Sequence, residues 1–164
     1  SKDPSSGPPL INARAETAAV KPAFRAAFRR RRCLIPSDGF YEWKRESGKK
    51  QPYFVSLAGG EVFAFAGLWE HWENPEGTTI DSCTILTTDA NDLVQSIHDR
   101  MPVILGPQDY AEWLDRSIEV PDKLQHLLRP YPGHETAMRP VAPKMNKATY
   151  DSPDCLAPYE PALT

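Results

Sequence analysis

Residues Pro36 to Phe54 read PSDGFYEWKRESGKKQPYF. Pro36-Ser37-Asp38-Gly39 has the composition of a turn, because proline fixes φ and glycine accepts φ > 0. Phe40 to Lys44 predicts a strand rich in aromatics. Glu46-Ser47-Gly48-Lys49-Lys50 is a polar connection containing a glycine, and Pro52 to Leu57 is the return strand of a hairpin. Strand alternation puts Phe40, Glu42 and Lys44 on one face and Tyr41 and Trp43 on the other. Glu42 therefore shares a face with an aromatic ring, an arrangement that suits a general acid or base. The same pattern fits a glutamate on the solvent side of a hairpin, since most glutamates are exposed.

Before the hairpin, Ser1 to Leu10 is rich in proline, glycine and serine and reads as a loop. Ile11 to Thr17 reads as extended, with Asn12, Arg14 and Glu16 on one face, lining either solvent or a polar site. Lys21 to Arg29 predicts a short helix with proline near its start and Phe24 and Phe28 as its buried stripe. The basic run Arg29 to Arg32 is either a phosphate-contacting edge or a solvated helix end, where arginine is favourable. Cys33-Leu34-Ile35 reads as a short buried strand. Cys33 is either a thiol activated by the neighbouring arginines or an inert core residue.

After the hairpin, Glu61 to Trp69 is apolar on both faces and reads as a central strand. Glu70 to Thr79 reads as a polar loop and Ser82 to Thr88 as a strand. Asp89 is placed to cap a short helix from Ala90 to Ser96. Ile97-His98-Asp99-Arg100-Met101-Pro102 follows, so His98 falls at a helix-to-strand junction, as a structural histidine or a proton-transfer group. Val103 to Leu105 reads as a strand. Helices open at Pro107 and Pro121, and Val141 to Asn146 is a last short strand. Residues 150–164 read as a loose C-terminal tail. Strands and helices alternate without βαβ regularity. This predicts an α+β fold built on a strongly bent, barrel-like mixed or antiparallel sheet with short flanking helices.

At 164 residues, the chain reads as a single domain. Proline, 17 of 164 residues, exceeds the average usage of ~5% and favours turns and short elements over long helices. The longest apolar run, Val62 to Trp69, is far short of the ~20 residues that span a bilayer. Three cysteines, Cys33, Cys83 and Cys155, form no C-x-x-C pair and argue for a reducing, intracellular setting without a zinc cluster. The net charge of −3 hides an asymmetry: residues 1–50 carry 12 Lys and Arg against 5 Asp and Glu, and residues 51–164 carry 7 against 17. A basic segment in an acidic chain is a candidate footprint for nucleic-acid phosphate, unless folding mixes the two halves.

Three blocks carry a family resemblance. They are Ile11-Asn12-Ala13-Arg14-Ala15-Glu16-Thr17; Gly39-Phe40-Tyr41-Glu42-Trp43-Lys44 with Lys49-Lys50-Gln51-Pro52-Tyr53; and Ile97-His98-Asp99-Arg100-Met101-Pro102. In order and rough spacing they resemble the SOS-response-associated peptidase (SRAP) family, from about Asp3 to Asp151-Ser152-Pro153. The resemblance implies recognition of abasic sites in single-stranded DNA and covalent linkage to them. The nucleophile it implies is a cysteine exposed at the N-terminus once Met is removed. Its amine forms a Schiff base with the ring-opened sugar and its thiol closes a thiazolidine. Carried onto matching positions, Asn12 orients the N-terminal group or the sugar, Glu42 is the acid/base, and His98 assists ring opening and reversal. Arg14 and Arg100 hold phosphates, Trp43 offers either a stacking surface or a core contact, and Thr87 is a candidate backbone contact.

No metal or cofactor is implied, and the expected form is an intracellular monomer that meets the nucleoid when bound to DNA. The family opens with a Met-Cys-Gly-Arg-type segment, so about sixty residues are expected before Ser1, still within ordinary single-domain size. Residues 1–164 alone are accordingly expected to be inactive in crosslinking. Rival readings are a non-catalytic single-stranded DNA-binding module and a thiol peptidase or autopeptidase built on cysteine, histidine and glutamate. A metal hydrolase using His98, Asp99 and Glu42 lacks a recognisable ligand spacing.

Overall fold

The computed structural model describes residues 9–46, 48–157 and 159–160. Along the chain run β1 (Asn12–Arg14), α1 (Ala15–Ala18), α2 (Arg25–Arg30), β2 (Arg32–Ser37), β3 (Phe40–Glu46) and β4 (Lys49–Leu57). They are followed by β5 (Phe63–Glu73), β6 (Thr79–Asp89), β7 (Arg100–Pro102), β8 (Ile104–Leu105), α3 (Tyr110–Leu114) and β9 (Thr136–Pro140). The remaining helical turns are short 3-10 segments, such as Pro121–Leu127 and Pro143–Asn146. The fold is α+β with short helices, as expected from strands and helices that alternate without βαβ regularity. No helix among the described residues is long and apolar enough to cross a membrane.

By its contacts the chain divides into two compact units. The first comprises Ser1–Pro36, Ala64–Thr88 and Pro102–Pro130; the second comprises Ser37–Phe63, Asp89–Met101 and Tyr131–Thr164.

In the first unit β1, β6, β5 and β2 lie side by side in that order, and β8 pairs with β5. β1 runs parallel to β6, while β5 pairs antiparallel with β6 and β8, so the sheet is mixed. Its core gathers Leu68 and Leu86 from the strands, Phe28 from α2, Trp113 from α3 and Leu124 from a 3-10 turn. The Phe28 and Trp113 rings meet edge to face at 5.9 Å, the geometry their quadrupoles favour. Phe28 is fully buried and Phe24 packs partly against the same core, which explains the four-residue spacing.

Arg29 and Arg30 form the expected solvated end of α2, but Arg32 has a role that neither expectation gave it. Arg32 is 8% exposed, and its guanidinium donates to the carbonyls of Phe28, Arg29, Trp113 and Asp115. These are the orphan carbonyls at the C-terminal ends of α2 and α3, so one planar fork caps two helices. Arg31 pairs with Glu70, and Arg30 lies 3.6 Å from Glu119. Burial pushes the Cys33 thiol up, so its setting is that of an inert thiol, with no activation by the arginines.

A loop expectation and a strand expectation are also corrected. The strands flanking Asn74 run to Glu73 and start at Thr79, because the polar side chains there pair across the ladder, as His71 does with Asp81 at 2.6 Å. The turn between them closes through the Asn74 carboxamide, which accepts the Glu76 and Thr78 amides, and through Gly77 at φ 82°. Glu16, expected on a strand face with Asn12 and Arg14, lies instead in α1.

The second unit holds an antiparallel sheet in the order β3-β4-β9. The expected last strand at Val141 to Asn146 lies earlier, at β9, because Pro143 opens a 3-10 turn over Pro143–Asn146. Part of the expected loose tail is packed: Pro153–Leu156 forms a 3-10 turn, Cys155 is buried, and Asp154 binds both the Lys144 ammonium and the Tyr150 hydroxyl. The rest of that tail lies partly outside the described residues.

Candidate functional site in the second unit

The β3–β4 hairpin pairs Phe40 with Val55, Glu42 with Tyr53, Trp43 with Pro52 and Arg45 with Lys50. Its entry is fixed by Ser37, whose hydroxyl donates to the Gly39 carbonyl at 2.6 Å and accepts the Gly39 amide at 3.3 Å. Gly39 is needed for space rather than for a positive φ. A Cβ there would sit 2.2 Å from the Phe54 ring and 2.6 Å from the Val55 carbonyl oxygen.

Glu42 is partly buried, with its side chain 20% exposed. Its Oε1 accepts the Trp43 backbone N–H at 3.1 Å, and its Oε2 lies 3.8 Å from His98 Nδ1. The same imidazole nitrogen is 3.1 Å from the Arg100 amide and 3.0 Å from the Arg100 carbonyl oxygen. Unprotonated, Nδ1 accepts from that amide; protonated, it donates to that carbonyl or faces the Glu42 carboxylate.

The segment carrying His98 is held from below by Asn91, which is 6% exposed. Its carboxamide accepts the Val94 amide at 2.9 Å and donates to the Tyr131 carbonyl at 2.8 Å. Asn91, rather than Asp89, caps the turn, and the turn is a 3-10 segment, Val94–Ser96, instead of the expected helix from Ala90. Asp89 binds the Arg100 guanidinium at 2.7 Å. Arg100 thus sits beside His98, already engaged by a carboxylate that a phosphate could replace.

Glu42, Trp43, Arg45, Lys50, His98 and Asn146 line one cavity of about 310 Å³. Asn146 closes it from the Pro143–Asn146 turn. Its carbonyl oxygen accepts the Trp43 indole N–H at 2.8 Å, and its amide donates to the Lys50 carbonyl at 3.0 Å. The cavity joins a carboxylate and an imidazole, an aromatic face and two cations, a set suited to a polar, anionic ligand with a flat or sugar-like part. Among the described residues no group of three or more His, Cys, Asp or Glu side chains is gathered to hold a metal.

The structure therefore brings Glu42, Trp43, His98 and Arg100 together in the second unit. Asn12, Arg14 and Thr87 belong to the first. There, Asn12 and Arg14 are exposed on either side of buried Ala13, and Arg14 stands opposite Thr87 in the β1–β6 register. Sequence reading passed over Asn146, Arg45, Lys50 and Asn91. Asn91 had a local signal, an asparagine three residues before an apolar Val94; Asn146 had none, because its partner Trp43 is 103 residues away.

Comparison with known proteins bears on this geometry. The family described as SOS response associated peptidase (SRAP) matches residues 1–148. The chain is 46% identical over 156 residues to the abasic site processing protein YoqW of Bacillus subtilis (strain 168), covering 94% of this chain and 70% of that protein. It is 34% identical over 166 residues to the abasic site processing protein HMCES of Xenopus tropicalis, covering 89% of this chain and 49% of that one. Among solved structures, a Bacteroides thetaiotaomicron protein superposes with a TM-score of 0.85 at 29% identity, over 91% of this chain and 66% of that one. The chain thus spans a little under two thirds of that structure and about half of the Xenopus protein.

Proposed function

Because the chain belongs to the SOS response associated peptidase (SRAP) family, we propose that it recognises abasic sites in single-stranded DNA and processes them through a covalent link. The observation that carries this reading is the Glu42–His98 pair, 3.8 Å apart in a cavity walled by Trp43, Arg45 and Lys50. The similarity to proteins called abasic site processing proteins supports the substrate class.

In the proposed chemistry a neutral α-amine adds to C1′ of the ring-opened sugar. The amine gives up one proton and the aldehyde oxygen takes one, leaving a carbinolamine. Loss of water then needs a proton on the departing hydroxyl, and Glu42 donates it. A thiol on the same residue adds to the imine carbon, its proton goes to the nitrogen, and a thiazolidine results. An N-terminal cysteine is the residue that carries both groups. Cys33, Cys83 and Cys155 are internal, and none lines the cavity among the described residues. An α-amino pKa near ~8 leaves enough neutral amine at physiological pH.

His98 opens the sugar ring by exchanging a proton at its oxygen, and its Nδ1 contacts to the Arg100 backbone hold the imidazole in place. Arg100 and Arg14 take phosphates, Trp43 takes a base by stacking, Thr87 contacts the DNA backbone, and Asn12 orients the attacking group or the sugar. Such an activity acts inside the cell, where single-stranded DNA forms. The test is binding of matched oligonucleotides, abasic and intact, single-stranded and duplex, across a salt series. Preference for abasic single strand supports the reading. Equal binding to all four would reduce the protein to a general DNA-binding module, and peptide release in a turnover assay would favour a thiol peptidase.

A further inference from the structure

The cavity has two ends, and the acid/base pair accounts for one. At the other, Arg45 and Lys50 stand directly opposite each other in the hairpin register. Both are exposed and both line the cavity. Among the described residues no carboxylate forms an ion pair with either side chain. Like charges placed opposite each other destabilise a strand pair, so this pairing costs stability in the unliganded hairpin. A dianion or phosphodiester between them reverses the sign of that term. The backbone beneath is held firmly, because the Lys50 carbonyl accepts from Asn146 and Asn146 also fixes the Trp43 indole. With its N–H occupied, Trp43 offers the cavity a π-face and no hydrogen-bond donor, a surface that tolerates any base.

We propose that Arg45 and Lys50 form a phosphate-binding subsite, which grips the phosphodiester next to the abasic sugar held at Glu42 and His98. This rests on the abasic-site reading above. Arg45 shares the Trp43 face of β3, two strand residues or about 7 Å further on, and both line the cavity with Glu42, so a strand with its sugar at the acid/base pair runs past Trp43 onto the cationic rim. Between the two, Trp43 stacks on the flanking base. The subsite recognises the charged linkage and not the base, so it predicts lesion recognition independent of sequence on that side.

The experiment measures binding of an abasic single strand by the wild-type protein and by an R45A/K50A double variant, over a range of salt. The variant is expected to bind 10- to 100-fold more weakly at low salt. Its log–log salt slope should be shallower by about 0.7 for each phosphate it no longer neutralises. An R45K/K50R variant should keep the wild-type slope, and thermal melting should show all three proteins folded. A second arm replaces single linkages beside the lesion by neutral methylphosphonate. One such linkage should weaken the wild-type protein and leave the double variant unaffected. An unchanged slope in R45A/K50A, or losses from variant and neutral linkage that simply add, overturns the subsite while abasic binding by the wild type stands. A wild-type protein that does not distinguish abasic strands overturns the underlying reading and the subsite with it.

Discussion

Glu42 Oε1 accepts the Trp43 amide at 3.1 Å while Oε2 of the same carboxylate faces His98 Nδ1 at 3.8 Å. The backbone holds one oxygen, and the other is presented to the imidazole. A carboxylate fixed in this way can pass a proton along a set direction, and a carboxamide in its place cannot.

Glu42→Gln keeps the shape and the contact to the Trp43 amide but removes the proton donor. Crosslinking to an abasic strand, measured in a protein with a cysteine at its N-terminus, should slow by about 10²–10⁴-fold. Equilibrium binding to the same strand should change little. A rate within a factor of a few of wild type would remove Glu42 from the chemistry.

Arg32→Ala should destabilise the first unit. Its guanidinium satisfies four carbonyls at two helix ends, and truncation leaves buried acceptors unpaired at about 1–3 kcal/mol each, partly relieved by water. A net loss of roughly 3 kcal/mol is expected from urea melts. Arg32→Lys should recover little of it, because an ammonium cannot reproduce the fork. Burial lowers the Arg32 pKa, but a guanidinium stays charged well above neutrality, so the loss should show no pH dependence there.

These cases indicate what a sequence reveals. The β3–β4 hairpin was legible because its aromatic alternation and the Gly48 connection are local. His98 and Glu42 were legible as separate candidates, and their meeting needed the fold. Arg32 was not legible: a run of four arginines reads as surface, and only the carbonyls of Trp113 and Asp115, some eighty residues on, make it an interior clamp. Asp89 departs from its expected capping role because a local cap and a distant ion pair compete for the same carboxylate, and Arg100 wins. Glu70 to Glu73 reads as loop because polar residues on an exposed ladder look like loop until their cross-strand partners are known.

The Lys144–Asp154–Tyr150 cluster should latch residues 150–156 to the Asn146 turn in a pH-dependent way. Hydrogen bonds from Lys144 first and Tyr150 next hold the Asp154 carboxyl far below the usual carboxylate range. A depressed carboxyl pKa contributes stability that is present above its unfolded value, near ~4, and is lost as pH falls toward the folded value. Lys144 is raised, chiefly by its bond to Asp154, so its contribution is present below its unfolded value, near ~10.4, and fades as pH rises through the folded one. Hydrogen exchange should show 143–156 protected between those limits and loosened in acid. Asp154→Asn should loosen the segment at pH 7 while leaving the first unit's core unchanged. A flat profile in the wild type would contradict the latch.

A heat-stable link to an abasic strand should depend on a cysteine at the N-terminus: residues 1–164 preceded by a family-type segment that begins with cysteine should form one, and the same protein with that cysteine changed to serine should not. The argument is chemical. A thiazolidine needs an amine and a thiol on adjacent carbons of one residue. A serine in that place supplies an amine with a hydroxyl, and ring closure through oxygen gives a far less stable product. Internal thiols at Cys33, Cys83 and Cys155 have no free amine, and burial further disfavours the Cys33 thiolate. In the cysteine-first protein, His98→Ala should impair crosslink formation and reversal more than it impairs binding, because it removes a proton carrier and leaves the cationic rim in place. The readout is a denaturing gel with a uracil-containing single strand treated by a uracil glycosylase. A heat-stable shifted band from the serine-first protein would show that another group is the nucleophile.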